Sequence, residues 1–481
     1  MPLTVYNTQN RCQEAFKTIE PGKVKMYCCG VTVYDYCHLG HARSYIVWDV
    51  VRRYLKWQGY EVEYVQNFTD IDDKIINRAK RDNLAPEEVS QRYIKEYFAD
   101  LRRLNVRDAD EYPQATEHIA GMQQLIENLI AQDLAYGAGG DVYYRVEKFP
   151  SYGKLSGRKL DQMQAGASGR VDVPEVGEVK KQHPFDFALW KASKRSEPSW
   201  DSPWGKGRPG WHIECSAMVK ALLGETIDIH SGGGDLVFPH HENEIAQSEG
   251  ATKQPLANYW LHNGMVMVEG QKMSKSLGNF TTIRELLNRP VEPMVVRLFV
   301  LQAQYRKPLD FTDEAIASAK NSWETWQAGL LFGQQYGEKL GFQEKDLQVE
   351  DSYKSRFTEA MNNDFNTPKA MAVLFELAKE LRRQTNLIIH EGEADASTKV
   401  LVKQWHTLVE LAAVLGLEVV NEQKETPQSN ETQIQTLVKQ RQQARRDRNF
   451  AEADQIRDQL QAMGIGLIDQ PDGETRTIKL K

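Results

Sequence analysis

A strand, a helix and a second strand follow one another near the start of this chain, and this order restricts its fold more than any other feature. Val24–Gly30 has the composition of a short buried strand, and Glu61–Asn67 alternates as a strand does. Between them, apolar residues recur at helical spacing from Val47 to Leu55, and Gly59 follows as a helix-ending residue. Such a unit places its two strands side by side, so the sequence predicts a parallel sheet of the nucleotide-binding type.

The rest of the 481 residues divides around this sheet by composition and periodicity. We predict an α/β protein in which a Rossmann-like parallel-sheet catalytic domain carries an inserted α+β domain and is followed by a helical bundle and a small C-terminal α+β module. The predicted regions are the two parts of the catalytic domain at 1–115 and 210–252, the inserted domain at 116–209, a loop region at 253–312, the helical bundle at 313–420, a polar linker at 421–431 and the C-terminal module at 432–481.

Composition excludes several classes of protein. The formal net charge of −7 argues against a chain that coats nucleic acid by bulk charge, although local basic patches are compatible with it. No apolar run approaches the ~20 residues that span a membrane, and the first residues do not resemble a secretory signal. Five cysteines, an odd number in so long a chain, do not form a disulfide framework. We therefore expect a cytoplasmic protein without membrane contact, whose clustered cysteines bind metal or take part in catalysis.

The stretch FPHHENE, which ends at Glu244, combines two histidines with two carboxylates. On a helix, His240 and Glu244 would lie four residues apart on one face, where two side chains can bind one metal ion. For this stretch alone, a solvated polar face is an equally good interpretation. Zinc usually takes four ligands, so a second source is needed. Cys215 is one candidate, and Cys28 or Cys29 at the end of the first strand is another, although core packing also explains a buried cysteine.

Two short motifs contain groups that suit the binding of phosphate. The first, CHLGH, places His38, Gly40 and His41 just before the first helix, where glycine allows close backbone approach and a helix N-terminus attracts phosphate. The second, KMSKS at Lys272–Ser276, supplies two lysines that can meet the charge developing on a pyrophosphate. The first motif is common by itself and the second is much more specific. Together, in this order, they are a strong signal.

The acidic stretch TDIDDK could suggest a second metal site. Asp70 or Asp72 more simply caps the helix that follows, because aspartate is favoured at helix starts. We therefore predict a structural role for this stretch.

The motifs resemble those of the class I aminoacyl-tRNA synthetases, and among these the cysteinyl-tRNA synthetase family. The resemblance covers essentially the whole chain, and it includes the stretches YCCGVTVYDYCHLGHARSY, NFTDIDDKI, FDFALWK, PGWHIECSAM, DIHSGGGDLVFPHHENEIAQ, GMVMVEGQKMSKSLGN and NNDFNTPKA. In that family, two cysteines, a histidine and a glutamate bind zinc, and the first of these cysteines precedes a glycine. The resemblance thus implies one zinc ion per chain, with Cys28 as a buried neighbour and with the ligands Cys29, Cys215, His240 and Glu244.

The activity implied by the resemblance has two steps. L-Cysteine is activated by ATP to cysteinyl-adenylate, and the acyl group then passes to the 3′-terminal adenosine of tRNA(Cys). Zinc would take the substrate thiolate as an added ligand, which a soft metal prefers to a serine hydroxyl. No editing domain is then required. Mg²⁺ would accompany ATP.

The resemblance also implies roles for particular residues. The implied catalytic residues are His38, His41, Lys272 and Lys275. The implied ATP-binding residues are these four together with Gly40, Gly232, Gly233 and Asp235. The candidates that line the cysteine pocket are Thr69, Trp211 and His230.

A basic cluster marks the C-terminal region, and it consists of Lys439, Arg441, Arg445, Arg446 and Arg448. A solvated amphipathic helix is the usual interpretation of such a charge run. The resemblance favours tRNA contact instead: acceptor-end contact by the inserted domain, stem contact by 253–312, further contact by the helical bundle, and anticodon contact by the last module. We expect a monomer.

Two other functions fit parts of the sequence. A cysteine ligase of the mycothiol-ligase type would share the catalytic half but lacks C-terminal tRNA-binding modules, and the long tail Asp313–Lys481 argues against it. A non-catalytic zinc- and tRNA-binding paralogue should have lost its motif residues, whereas both histidines and both lysines are present.

Overall fold

The structure of the protein is a computed structural model. It describes residues 2–162, 181–194, 197–273, 279, 281–343, 347–419, 428–447, 449–462, 465–469 and 475–479. The chain forms two compact units. The first unit contains Met1–Glu324, Asp351–Leu374 and Glu410–Leu417, and the second contains Thr325–Glu350, Phe375–Val409 and Glu418–Lys481.

The elements of the described residues follow in chain order. The strands are β1 (Thr4–Asn7), β2 (Cys12–Ala15), β3 (Lys23–Thr32), β4 (Glu61–Thr69), β5 (Ala135–Ala138), β6 (Asp141–Tyr144), β7 (Phe187–Ala192), β8 (Gly207–Pro209), β9 (Ile227–Gly233), β10 (Ala257–Asn263), β11 (Val266–Val268), β12 (Gln271–Lys272), β13 (Leu309–Phe311), β14 (Ile465–Asp469) and β15 (Thr475–Lys479). The helices are α1 (Leu39–Trp57), α2 (Asp73–Asp82), α3 (Pro86–Arg103), α4 (Ile119–Ala131), α5 (Trp211–Leu222), α6 (Glu242–Thr252), α7 (Ile283–Leu287), α8 (Pro293–Leu301), α9 (Asp313–Tyr336), α10 (Asp351–Asn362), α11 (Thr367–His390), α12 (Thr398–Val414), α13 (Gln428–Arg446) and α14 (Phe450–Ala462).

A four-stranded sheet in the order β10-β9-β3-β4 forms the centre of the first unit, and all three pairings in it are parallel. Strand β3 lies between β9 and β4, and α1 connects β3 to β4. The predicted β-α-β unit is therefore confirmed. Its strands are mostly buried because helices cover both faces of a parallel sheet. The carboxyl ends of the strands lie at one edge, where open α/β sheets bind ligands.

The segment predicted as an inserted domain contains a separate antiparallel sheet in the order β5-β6-β7-β8. One face of α4 supplies the core beneath it, where Met122, Ile126 and Leu129 pack with Trp190 of β7. The sequence also predicts a helix around Glu117–Gln132, and α4 lies within this range. Strand β10, which follows residue 252, belongs to the parallel sheet, so that sheet extends into the region that the sequence groups with the KMSKS loop.

The second unit and the last residues are mainly helical. Helix α13 begins at Gln428, inside the segment 421–431 that the sequence predicts to be a linker, and residues 420–427 lie outside the described residues. Helices α13 and α14 and the antiparallel pair β14–β15 form the predicted small α+β module. Its core contains Leu437, Ile456, Leu460 and Ile465.

The acidic stretch TDIDDK makes structural hydrogen bonds at the start of α2 and with Thr116. Asp72 is the N-cap of α2, and its side chain accepts a hydrogen bond of 2.8 Å from the Lys74 amide. Asp70 instead accepts hydrogen bonds from the amide and the hydroxyl of Thr116. The structural interpretation of this acidic stretch is confirmed.

Within the part of the chain that the structure describes, none of the helices is both long enough and apolar enough to cross a membrane.

Candidate active site and metal centre

A cavity of about 700 Å³ opens at the carboxyl edge of the parallel sheet. The ends of β3, β9 and β10 contribute to its wall, together with the first residues of α1 and α5. This is the position at which a sheet of this topology is expected to bind a ligand. Of the residues that the sequence singles out, the cavity is lined by Cys29, His38, Gly40, His41, Trp211, Gly233, Asp235 and Lys272.

An irregularity in β3 directs Cys29 towards this cavity. Cys28 pairs with Gln66 of β4, but the next pair in register joins Val31 to Phe68, so β3 contains one extra residue at this point. A bulge of this kind changes the direction of a side chain. Gly30 is needed here, because a Cβ on it would lie 1.6 Å from the carbonyl oxygen of Asn67.

The neighbouring cysteine has different surroundings. The Cys28 thiol is buried beside Tyr64 and Ser231, and burial raises its pKa to about 12. Cys29 lines the cavity, whereas Cys28 is not among the residues that line it. The geometry brings Cys29, and not Cys28, to the other candidate metal ligands.

Four potential metal ligands converge below the cavity. The Cys29 Sγ atom lies 3.8 Å from Cys215 Sγ and 3.4 Å from Glu244 Oε1, and His240 Nε2 lies 3.0 Å from the same carboxylate oxygen. All four ligand atoms are within 4.8 Å of one another, and all four residues are buried. The structure thus brings together the four side chains that the resemblance implies. We call them the donor cluster.

The spacing of the donor cluster fits a tetrahedral zinc ion. Two thiolates at ~2.3 Å from such an ion lie about 3.8 Å apart, and a thiolate and a carboxylate oxygen lie about 3.5 Å apart. The observed separations are 3.8 Å and 3.4 Å. Two sulfurs, one imidazole nitrogen and one carboxylate oxygen also form a donor set that zinc accepts. The residues present therefore fit the metal.

Protonation in the donor cluster follows from burial and neighbouring charge. Burial raises the pKa of Cys29 well above its usual value. Burial also raises the pKa of Glu244, but the nearby imidazoles of His230 and His240 outweigh it, and the pKa lies below the ordinary carboxylate value. A divalent ion beside Glu244 would lower the pKa of the Cys29 thiol and so favour the thiolate.

Two further histidines surround the donor cluster. His230 Nε2 lies 2.9 Å from Glu244 Oε2, the oxygen that faces away from His240. His241 Nε2 lies 3.3 Å from Cys29 Sγ, while its other nitrogen lies 2.8 Å from His262 Nε2. The potential ligand atoms of Cys29, His230, His241 and Glu244 also lie within 4.8 Å of one another. His241 is therefore an additional potential ligand, which sequence reasoning did not select. Its position beside His240 in FPHHENE is the signal that was available.

The three candidates for the cysteine pocket occupy different positions. Trp211 lines the cavity, and its ring stacks on His240 with 4.2 Å between ring centroids. His230 is completely buried and stacks on Trp260. Thr69 is also buried, and its hydroxyl donates a hydrogen bond of 2.8 Å to Glu214. The structure therefore brings Trp211 to the cavity surface, whereas His230 and Thr69 lie behind that surface.

The CHLGH motif forms the N-terminal cap of α1. His38 Nδ1 accepts a hydrogen bond from the His41 amide, and His41 Nδ1 accepts one from the His38 amide. The two rings stack with 3.6 Å between centroids. Gly40 passes so close that a Cβ on it would lie 2.9 Å from the His38 ring, which explains the glycine. The motif thus presents two ordered imidazoles at a helix N-terminus that favours anions.

Lys272 of the second motif also lines the cavity. Lys272 is exposed at the end of the short strand β12, and its carbonyl oxygen accepts a hydrogen bond from Asn279. Lys275 lies outside the described residues. Gly233 and Asp235 line the cavity, whereas Gly232 packs beside His241, where a Cβ would lie 2.9 Å from the ring.

Sequence reasoning missed Arg43, which fixes part of the rim. Its guanidinium is buried and donates hydrogen bonds to the carbonyl oxygens of Met265, Tyr305 and Lys307. Met265 lines the cavity, so Arg43 connects α1 to the turn that leads to the lysine-bearing hairpin. The position of Arg43, two residues after His41, gave no signal of this role.

The basic cluster of the C-terminal region lies on α13. Lys439, Arg445 and Arg446 are exposed, whereas Arg441 is buried. Arg448 lies outside the described residues. Three of the five cations of this cluster are therefore exposed on α13.

Comparison with known proteins identifies the family. A family model described as tRNA synthetases class I (C) catalytic domain matches residues 15–321, and it spans the donor cluster and both motifs. A protein of Trichormus variabilis named cysteine--tRNA ligase is 66% identical over 98% of this chain and 99% of its own length. The chain belongs to the cysteinyl-tRNA synthetase family. A second member, from Trichodesmium erythraeum, is 59% identical over 99% of each chain.

The similarity to this family continues through the C-terminal half. A DALR domain model matches residues 356–420, and the model of the cysteinyl-tRNA ligase anticodon binding domain matches residues 431–474. Solved structures of other synthetases share the fold. A Mycobacterium tuberculosis methionyl-tRNA synthetase with methionyl-adenylate has a TM-score of 0.54 at 14% identity, covering 82% of this chain and 89% of its own. The Agrobacterium radiobacter LeuRS–tRNA–LeuAMS complex has a TM-score of 0.57 at 12% identity, covering 83% and 85%.

Proposed function

We propose that this chain is a cysteine--tRNA ligase, which activates L-cysteine with ATP to cysteinyl-adenylate and transfers the cysteinyl group to the 3′-terminal adenosine of tRNA(Cys). One observation carries the proposal. A single cavity is lined by Cys29 of the donor cluster, by the two imidazoles of the CHLGH motif and by Lys272. Soft metal ligands and phosphate-binding groups are thus close enough to act on one small molecule.

Activation needs the cysteine carboxylate to attack the α-phosphate of ATP. No covalent intermediate with the enzyme is required, so catalysis depends on positioning and on charge stabilisation. In this proposal His38 and His41 bind the phosphates, which their position at the N-terminus of α1 supports because the helix dipole favours anions. Lys272 and Lys275 stabilise the negative charge that develops on the departing pyrophosphate, and Mg²⁺ accompanies ATP.

The adenosine of ATP has a separate part of the wall. Gly233, at the end of β9, leaves room for a planar base against the backbone. Asp235 lines the cavity two residues later and supplies an acceptor for a hydroxyl or amino group. The carboxyl edge of the sheet thus binds the nucleotide next to the donor cluster.

Selection of cysteine rests on the donor cluster. Cys29, Cys215, His240 and Glu244 would hold one zinc ion, which supplies when bound a soft site that prefers a thiolate to a neutral hydroxyl. The surrounding residues fix the donors. Trp211 stacks on the His240 ring, and His230 occupies the second oxygen of Glu244, so that the first oxygen faces the cluster. Such a metal is useful because the shape of a pocket alone discriminates poorly between cysteine and serine, which differ by one atom.

The tRNA is assigned to the remaining regions. The inserted domain at 116–209 is proposed to contact the acceptor end, the segment 253–312 the stem, and the bundle at 313–420 the body of the tRNA. The module at 432–481 is proposed to bind the anticodon, which the matching anticodon-binding family model supports. Exposed cations of α13 provide local charge for this contact. We propose that the enzyme acts as a monomer.

The decisive test is charging of total tRNA with labelled cysteine in the presence of ATP, Mg²⁺ and excess unlabelled serine. We expect cysteine to be attached and serine to be ignored, with one zinc ion per active chain by metal analysis. Cysteine-dependent pyrophosphate exchange without charging would assign the acceptor to another molecule, such as an amino sugar. Charging with serine would contradict the role of the donor cluster in selection.

A further inference from the structure

A second pocket, of about 460 Å³, opens beside the active-site cavity. Residues 9–11, which follow β1, form one wall, and the loop 150–159 of the inserted segment forms the other. Four cations line this pocket, and none of them has a role in the reaction described above. They are Arg11, Lys154, Arg158 and Lys159.

Three of these cations have no carboxylate partner among the described residues. Lys154 is neutralised by Glu249, with 2.5 Å between the ammonium nitrogen and the carboxylate oxygen. Arg11, Arg158 and Lys159 are exposed at the pocket and form no such ion pair in the part of the chain that the structure describes. The net charge of the protein is −7, so a concentration of unpaired positive charge stands out from the rest of the surface.

The loop 150–159, which carries Lys154, Arg158 and Lys159, is anchored to α6, the helix that also carries the proposed metal ligand Glu244. Glu242 is completely buried, and its carboxylate accepts hydrogen bonds of 2.9 Å from the Gly153 amide and 2.8 Å from the Ser156 amide. The Tyr152 hydroxyl lies 2.5 Å from Asn243 Oδ1. These contacts give a role to Glu242 and Asn243, two residues of FPHHENE that do not belong to the donor cluster.

The two guanidinium groups contact neighbouring residues. Arg158 lies over the Phe238 ring, with 4.4 Å from its central carbon to the ring centroid. Gly157 has a φ of +69° and lies directly against Arg11, since a Cβ on it would be 1.5 Å from the Arg11 guanidinium. The planar guanidinium group suits phosphate oxygens, to which it can donate two parallel hydrogen bonds.

The pocket adjoins the site of chemistry. Tyr152 lines both the pocket and the active-site cavity, and Phe238, which supports Arg158, lines the cavity. A substrate chain whose terminal adenosine lies in the cavity can therefore place its preceding phosphates at the pocket. A strand of phosphodiesters is the polyanion that has to reach this position.

We propose that this pocket binds phosphodiester groups of the single-stranded 3′ end of the tRNA, through Arg11, Arg158 and Lys159. The proposal rests on the proposed function, since it assumes a tRNA substrate. It gives the loop 150–159 the task of guiding the acceptor end towards the cavity. Because Glu242 anchors this loop to α6, the tRNA contact and the metal ligand Glu244 are carried by one helix.

The test compares two double variants of the full-length, zinc-loaded enzyme. Arg11→Gln/Lys159→Gln removes two charges from the pocket, and Lys80→Gln/Lys95→Gln removes two exposed charges from α2 and α3, outside both openings. For each we would measure the KM for tRNA in charging, its dependence on salt concentration, and cysteine-dependent pyrophosphate exchange, which needs no tRNA. The same assays with a tRNA that lacks its 3′ single-stranded nucleotides, used as a competitor, locate the contact.

We expect the pocket variant to raise the KM for tRNA about tenfold and to reduce the salt slope by about 1.4, because each contact with a single strand contributes about 0.7. Exchange should stay within twofold of the wild-type rate, and the truncated tRNA should compete equally well with both enzymes. An unchanged KM for tRNA would overturn the proposal. So would a variant that loses only inhibition by free phosphate or pyrophosphate, since the pocket would then be a site for small anions. Absence of charging by the wild-type enzyme would instead contradict the proposed function.

Discussion

The floor and the rim of the active-site cavity are built in different ways. At the floor, the donor cluster is buried, and further partners such as His230, Trp211 and His241 position its members. At the rim, Lys272 is exposed on a two-residue strand. In the proposed function, discrimination between sulfur and oxygen depends on a metal site with fixed distances, so the ligands of that site must be held in advance. In the same proposal, stabilisation of pyrophosphate acts through charge over longer distances and tolerates an exposed donor.

The largest effect should come from a change at the floor. Cys215→Ser should lower zinc affinity more than about a thousandfold, because loss of a supporting residue alone costs about 10- to 100-fold. Cysteine-dependent pyrophosphate exchange should fall with the zinc content. Titration of the apo-protein with zinc against a competing chelator measures the affinity.

Cys28→Ser is the matched control for this experiment. Its thiol is as deeply buried but faces Tyr64 and Ser231, so zinc affinity should stay within a few-fold of the wild type. Equal loss of zinc in both variants would mean that burial, and not ligation, decides the result.

A change at the rim should have a smaller effect and leave zinc in place. Lys272→Ala should reduce the rate constant of pyrophosphate exchange about a hundredfold, because loss of one charge-stabilising donor typically costs 10²- to 10³-fold. The neighbouring Gln271→Ala, on the same exposed strand, should change it less than twofold. Loss of zinc from the Lys272 variant would show that floor and rim are not independent.

Two substitutions of His38 in the CHLGH motif distinguish its role as the cap of α1 from its role in the reaction. His38→Asn keeps a side chain that can cap α1, whereas His38→Ala removes the cap and should cost about 1 kcal/mol of unfolding free energy. Both should slow exchange by a similar factor, about tenfold or more, since both remove the imidazole. Thermal or urea unfolding gives the first quantity. A normal exchange rate in the asparagine variant would reduce His38 to a helix cap.

The smallest effect on chemistry should come from Glu242. Glu242→Gln keeps one acceptor but weakens the hydrogen bonds to Gly153 and Ser156, so the free energy of unfolding should fall by about 1–3 kcal/mol. Zinc affinity should stay within a few-fold of the wild type. Glu244→Gln, two residues later, should do the reverse and lose zinc. If both variants lost zinc equally, Glu242 would belong to the metal site.

The sequence predicted what depends on local patterns. The β3-α1-β4 unit and α4 followed from periodicity, and Asp72 followed from the preference for aspartate at helix starts. The resemblance supplied the four members of the donor cluster, which the structure brings together. Residue patterns alone left Cys28 and Cys29 as alternatives. The register of β3 depends on its pairing with β4, which includes a bulge after Cys28.

Other features depend on tertiary packing and could not be read from the chain. Thr69 and His230, two of the candidates for the cysteine pocket, are both buried, and their contact with the substrate stays a prediction. Arg43 binds three carbonyl groups that are more than 200 positions away along the chain, and nothing near it indicates this. The inserted strands were only partly expected, because short antiparallel strands acquire their stability from the sheet as a whole.

Gly30 has no functional group, yet a genetic screen for lost activity should recover it as readily as Cys29. Any larger residue would place its Cβ 1.6 Å from the Asn67 carbonyl, so the backbone would have to move and take the adjacent thiol with it. The position of Cys29 in the donor cluster is therefore tied to a residue that contributes only the absence of a side chain.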